Sequence, residues 1–198
     1  MLTRVAAVLV TAGMADAAPP GIDPHEFLMA VAEDTYEIVA GLEFVEPVIL
    51  SAGVPGLDEI AWPGTPVISV DSPAEAFAAL PYAVGGDGGA EGVVVSADAP
   101  DLPPLLIGKL FRALGRAEVA ICPAEGGGAV AVAARLPFPD WADPDFDDPD
   151  LVARLRRQAP GRRMVATGPG WHRLRKPVDV ARLDPGLEGW ENTRLLLS

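Results

Sequence analysis

The chain has a single cysteine, Cys122, so no internal disulfide can form, and its two histidines, His25 and His172, lie far apart in sequence. No spacing of Cys and His matches a metal-ligand set. Cys122 sits in an apolar run, which predicts a buried thiol. No apolar stretch approaches the ~18 residues that a membrane-spanning helix needs. The expectation is a cytoplasmic protein with no membrane span. Basic residues are scarce, 15 against 28 acidic ones, for a net charge of -13. A chain this acidic repels phosphate backbones, so nucleic acid is not an expected partner. Also missing are a Walker-type phosphate loop, a Gly-x-Ser-x-Gly elbow and a Gly-x-Gly-x-x-Gly turn after the first strand.

What is present is an ordinary globular composition: 49% hydrophobic and 22% charged residues, with 21 Gly and 21 Pro falling mostly between apolar runs. That excludes disorder and predicts many turns. A length of 198 residues suits one domain, 1–198, with a sizeable core. Met1-Leu2-Thr3-Arg4, the apolar run 5–10 and Ala15-Asp16-Ala17 superficially resemble a signal peptide. A first buried strand at 5–10 is preferred, because the remaining pattern needs it.

That pattern alternates short β-branched runs with helical ones. Strands are predicted at 5–10, 47–51, 66–70, 92–96, 117–122, 129–134 and 164–167, with 92–96 the central one. Helices are predicted at 24–42, capped by Asp23 with Pro24 in the first turn, and at 72–80, capped by Ser72 with Glu75 in the capping-box position. Others are predicted at 103–114, capped by Asp101 or Leu102, and at 150–158, capped by Asp150, with short ones at 56–60 and 177–183. Gly85-Gly86-Asp87-Gly88-Gly89 reads as a flexible turn. Strand–helix–strand alternation implies a three-layer α/β/α fold with a mainly parallel sheet, and the closely spaced pair at 117–134 adds antiparallel pairing.

In open α/β sheets, ligands bind beyond the carboxyl ends of the strands. Asp98 lies two residues past the central strand, in Ser96-Ala97-Asp98-Ala99-Pro100-Asp101-Leu102-Pro103. A carboxylate there can hold a divalent cation and, through it, phosphate oxygens, or it can serve a structural turn. Asp101 could assist, although an Asp just before an apolar helix favours a capping role. Glu125-Gly126-Gly127-Gly128 lets a ligand approach the backbone closely, or forms a hairpin turn needing positive φ. Ten of the fifteen basic residues fall from Arg154 onward, after the acidic run 140–150. That arrangement reads as a solvated loop and helix, or as a basic wall facing an anionic ligand. Within it, His172, Arg173, Arg175 and Lys176 concentrate positive charge that could neutralise a phosphate or carboxylate. His172 could act as a general base but has no partner visible in the sequence.

The segment Val93-Val94-Val95-Ser96-Ala97-Asp98-Ala99-Pro100-Asp101-Leu102-Pro103 resembles the strand and Asp-x-Pro-x-Leu loop of small bacterial predicted glycosyltransferases. These belong to the nucleotide-diphospho-sugar transferase superfamily, which has the GT-A fold. Pro123-Ala124-Glu125-Gly126-Gly127-Gly128 is similar to that family's Pro-Ala-Glu-Asp-Gly-Gly turn, and the helix at 27–42 falls where the family places its first helix. Molybdenum-cofactor and 2-phospholactate guanylyltransferases share the architecture more distantly. The resemblance covers 93–134 well and the rest loosely. It implies that Asp98 holds a metal–nucleotide diphosphate with Mg²⁺ or Mn²⁺, that Asp98 and Glu125 are catalytic, and that Gly126, Gly127 and Gly128 line the acceptor or sugar pocket. Asp101, Arg173, Arg175 and Lys176 would contact a nucleotide or sugar substrate.

Three positions depart from the family pattern. The loop 11–23 after the first strand has neither Lys nor Arg, where the family has both. Gly126 replaces the acidic residue of the turn. The late Asp-x-Asp-x-Pro-x-Asp motif reads Arg173-Leu174-Arg175-Lys176-Pro177-Val178-Asp179, keeping only the last aspartate. The first expectation is therefore a GT-A-like transferase acting on a nucleotide-activated substrate, by glycosyl or nucleotidyl transfer. The second is a degenerate, non-catalytic member that binds a ligand or partner protein. A generic Rossmann-like binding domain is a third, without its phosphate loop.

Overall fold

The structure is a computed structural model and describes residues 2–43, 45–81 and 89–198. The turn expected at 85–89 lies outside these residues except for Gly89. Among the described residues there are seven strands: β1 (Thr3–Thr11), β2 (Glu46–Ala52), β3 (Val67–Ser69), β4 (Ala90–Ser96), β5 (Val119–Pro123), β6 (Ala129–Leu136) and β7 (Val165–Thr167). Four α-helices accompany them: α1 (Pro24–Ala40), α2 (Pro104–Ala113), α3 (Leu151–Gln158) and α4 (Glu191–Leu197). The strands form one sheet in the order β3-β2-β1-β4-β6-β5-β7. All neighbours are parallel except β6, which is inserted antiparallel between β4 and β5. This is the mainly parallel, mixed sheet that the alternation predicts.

β1 and β4 are apolar throughout their middles because both faces of the sheet are covered. Ala6, Val8, Val93 and Val95 pack with Leu28 and Tyr36 of α1 and with Ile107 and Leu110 of α2. Val5, Leu9 and Val94 pack on the opposite side with Phe77, Leu80, Phe146 and Leu151 and Leu155 of α3. Asp23 caps α1 as expected, its Oδ1 accepting from the backbone N–H groups of His25 and Glu26, both at 2.9 Å.

Three expected caps and one helix are corrected. The segment 72–80 forms only a 3-10 turn, Pro73–Glu75, and the Ser72 side chain makes no cap bond. The stretch is too short to hold a helix alone. Pro81 also disfavours helical backbone at Leu80, while Phe77 and Leu80 are drawn into the core. Before α2, neither Asp101 nor Leu102 caps; the N-cap position is Pro103. Before α3, Asp150 makes no side-chain cap bond. Asp148 instead ties the entry to the helix, accepting from Asp150 N at 2.8 Å and from Arg154 Nε at 2.6 Å.

α4 was not predicted. It packs with Trp190 and Leu183 against Phe27 and Val31 of α1 and against Leu174. Its first N–H groups, which no helix can satisfy internally, are met from α1. The fully buried Asp34 accepts from Asn192 N and Nδ2 and from Thr193 N, at 3.1, 3.0 and 2.7 Å. No helix among the described residues is long and apolar enough to cross a membrane.

Candidate functional site

β4 delivers Asp98 to the carboxyl edge of the sheet. Ala97 N still donates to Leu9 O of β1 at 3.0 Å, so the strand pairing runs to the residue before Asp98. Asp98 O then accepts from Leu174 N at 2.8 Å, which binds the 171–175 segment to the same edge. That segment is tied equally to the end of β5: Trp171 N donates to Pro123 O at 3.0 Å and Glu125 N to Trp171 O at 2.8 Å. Residues 75 apart in sequence are thereby brought into contact.

The contact is a buried ion pair. Arg173 Nε donates to Asp98 Oδ1 at 2.8 Å and Oδ2 at 3.1 Å, and Ser96 Oγ donates to Oδ1 at 2.7 Å. Arg173 Nη1 donates to Phe146 O at 3.1 Å, to Ala129 O at 3.4 Å and to Asp147 Oδ1 at 2.8 Å. Asp98 is 2% exposed and Arg173 6%, whereas the Asp147 side chain is 76% exposed. Burial disfavours the Arg173 cation, but Asp98 and Asp147 more than offset it and hold the proton more tightly than in a free guanidinium. Arg175 lies beside this pair. Its Nη2 donates to Gly127 O at 3.0 Å and is 3.9 Å from Asp147 Oδ1. Its Nε is buried without a partner, and burial together with the Arg173 charge lowers its proton affinity.

The glycine turn packs against this cluster. Gly126, Gly127 and Gly128 have φ of +86°, +103° and +83°, so all three need the left-handed region. A Cβ on Gly128 would lie 2.2 Å from Phe146 O and 2.9 Å from Arg175 Nη2, and one on Gly127 2.8 Å from Pro149 Cα. The close approach at Gly127 and Gly128 is thus made by the chain's own 146–149 loop. Gly126 faces open space.

Other candidate residues lie elsewhere. Glu125 is exposed and ion-paired with Arg182, not with Asp98 or Arg173. Lys176 is exposed; its backbone N, like that of Arg175, donates to Asp179 Oδ2 at 2.9 Å. Asp101 is a buried junction, 3% exposed, rather than a cap. It accepts from Trp171 Nε1 at 3.1 Å and from Asp184 N at 3.0 Å, and bonds His172 Nε2 at 3.0 Å. Burial pushes its carboxyl up, but these three bonds outweigh it and hold it below the usual carboxylate range. His172 therefore has a partner that the sequence did not disclose. Asp147 was missed for a different reason: it stands in an acidic run that reads as solvated loop, and only Arg173 singles it out.

Asp98 does not offer a cation site. Both its oxygens are engaged by Arg173, so a divalent ion placed there would lie against a buried guanidinium. Among the described residues no three His, Cys, Asp or Glu side chains lie together as a metal site.

No protein-family model matches the chain, and no curated protein matches it in sequence. Solved structures do match in shape. One is a protein assigned as a nucleotide-diphospho-sugar transferase from Desulfovibrio desulfuricans G20, at 17% identity and TM-score 0.64, covering 98% of this chain and 95% of that one. A second is the 4-diphosphocytidyl-2C-methyl-D-erythritol synthase of Anaerococcus prevotii, at 11% identity and TM-score 0.62, covering 98% and 96%. A third is Rv0371c of Mycobacterium tuberculosis in complex with manganese, at 20% identity and TM-score 0.56, covering 98% of both chains. The chain thus has the nucleotide-diphospho-sugar transferase fold, as the sequence resemblance implied.

Proposed function

We propose that the protein acts on a nucleotide-activated substrate, transferring a nucleotidyl or glycosyl group at the carboxyl edge of β1 and β4. The observation that carries this reading is the Asp98–Arg173 pair with Arg175 beside it, at the edge where open α/β sheets take ligands. In either reaction an acceptor oxygen attacks and a phosphate-bearing group departs, so negative charge grows on the leaving phosphates. Arg173 and Arg175, with the exposed Lys176, supply fixed positive charge for it. Shared fold with transferases of this kind supports the class and leaves donor and acceptor open.

Thermal shift with CTP, GTP and UDP-glucose tests the binding, each with and without Mg²⁺ or Mn²⁺; stabilisation by at least one is expected, and none by any would sink the reading. Phosphorus NMR of the bound mixture then tests turnover. Two observations favour the non-catalytic alternative: Glu125 is committed to Arg182, and the loop after β1 has no basic side chain. Tight nucleotide binding with no phosphorus resonance appearing or disappearing, whatever acceptor is added, would select that alternative.

A further inference from the structure

We infer that this site takes the phosphates of its ligand without a divalent cation: Arg173, held on Asp98, stands in the cation's place, and the exposed Asp147 carboxylate is a stand-in anion that the ligand's phosphate displaces. The inference deepens the reading above and rests on it for the nature of the ligand.

The two carboxylates on Arg173 are unlike in a way that decides which one yields. Asp98 is buried and fixed by Ser96, so its departure would strand a buried cation, which is costly. Asp147 itself is exposed, although Phe146 before it is buried, and its carboxylate reaches water on leaving. Arg173 keeps its orientation without it, because Nε stays on Asp98 and Nη1 stays on Phe146 O and Ala129 O. Asp147 also lies within 3.9 Å of Arg175 Nη2, so it occupies the space between the two guanidinium groups.

The site has an unsatisfied donor even with Asp147 present. Arg175 has a buried Nε with no acceptor. A phosphate group, with more acceptor oxygens and more charge than one carboxylate, can bond both guanidiniums at once. A cation added to this cluster would instead compete with Arg173 for Asp98 and be repelled by Arg173 and Arg175. The same physical need, positive charge under a diphosphate, is met here by a guanidinium fixed in advance.

The experiment is calorimetric titration of the intact protein with inorganic pyrophosphate and, separately, with CTP, GTP and UDP-glucose, in EDTA and in Mg²⁺ or Mn²⁺. Binding in EDTA as tight as with metal is expected. Asp147→Asn should tighten pyrophosphate binding by about two- to fivefold, the size of a removed exposed ion pair. Arg175→Gln should weaken it; this residue is partly exposed, so the variant folds where Arg173→Ala fails to. Binding that requires the metal overturns the inference and leaves the transferase reading standing. Asp147→Asn binding pyrophosphate no better, or worse, also overturns it. Pyrophosphate bound in EDTA with no nucleotide bound in any condition keeps the cation-free phosphate site and removes the transferase reading. No binding of any probe removes both.

Discussion

Asp98 and Arg173 bury opposite charges against each other, so removing one is not the mirror of keeping both. Asp98→Ala leaves a buried guanidinium with only the exposed Asp147 as counter-charge, and is expected to cost about 3–5 kcal/mol. Asp147→Ala removes a charge already in water and is expected to cost less than about 1 kcal/mol. Urea denaturation of the two variants measures both; equal losses would show that Arg173 is not confined as the structure has it. Asp101 carries a pH signature. Its carboxyl is held below the usual range, so the folded state binds fewer protons than the unfolded one near that range. The stability it supplies is present above the ordinary carboxylate pKa and is lost as pH falls through the lower, folded value. The stability gap between the wild type and Asp101→Asn should therefore be full at neutral pH and shrink below about pH 4. A gap independent of pH would count against the bonds drawn to His172 and Trp171. Burial pushes the Cys122 thiol up to about 12, consistent with the core thiol read from its apolar run. Of the site, the sequence disclosed residue types and edge position: an aspartate past a β-branched strand, arginines in a late motif. It could not disclose that Arg173 meets Asp98, or that Asp147 is the member of its acidic run that faces Arg173, because these contacts depend on how distant segments meet.

At the scale of elements, β-branched runs were legible because the sheet is covered on both faces and its strands need little else. The short elements were not. Residues 72–80 carry helix-start chemistry, but tertiary packing of Phe77 and Leu80 outcompetes a helix that Pro81 cuts short. α4 gives no periodic signal in seven residues, and Leu195 on it is 72% exposed. It is held from outside, by Asp34 on α1. Asp34→Ala deletes the acceptor for three N–H donors at the start of α4 and is expected to cost about 1–3 kcal/mol. The loss should be local first. Amide hydrogen exchange of 191–197 should accelerate well before that of β1 and β4, since this short helix packs on α1 and not on the sheet. Acceleration spread evenly over sheet and helix would mean that α4 is part of the same cooperative unit.

At the scale of the whole molecule, the insertion of β6 between β4 and β5 is the feature hidden from sequence: the hairpin was legible from its glycine turn, its position in the sheet was not. The charge distribution is the other global feature. The acidic run folds back on part of the late basic segment: Arg154 pairs with Asp148 and Asp143, and Arg173 with Asp147. With those charges paired locally, the remaining excess is acidic, in a chain of net charge -13. Like charges crowd more in the folded state than in the unfolded chain, so self-repulsion lowers stability. Screening acts on distant exposed charges first, as the Debye length falls from about 30 Å at 0.01 M salt to about 8 Å at 0.15 M. It spares the buried Asp98–Arg173 pair. The melting temperature at neutral pH should therefore rise as sodium chloride is added over that range. Pyrophosphate affinity should move the opposite way, because its attraction to Arg173 and Arg175 is itself screened. Opposed responses of stability and affinity to the same salt are what an acidic fold with a pair of phosphate-binding arginines requires. A melting temperature that falls with salt would mean that the surface ion pairs outweigh the net repulsion.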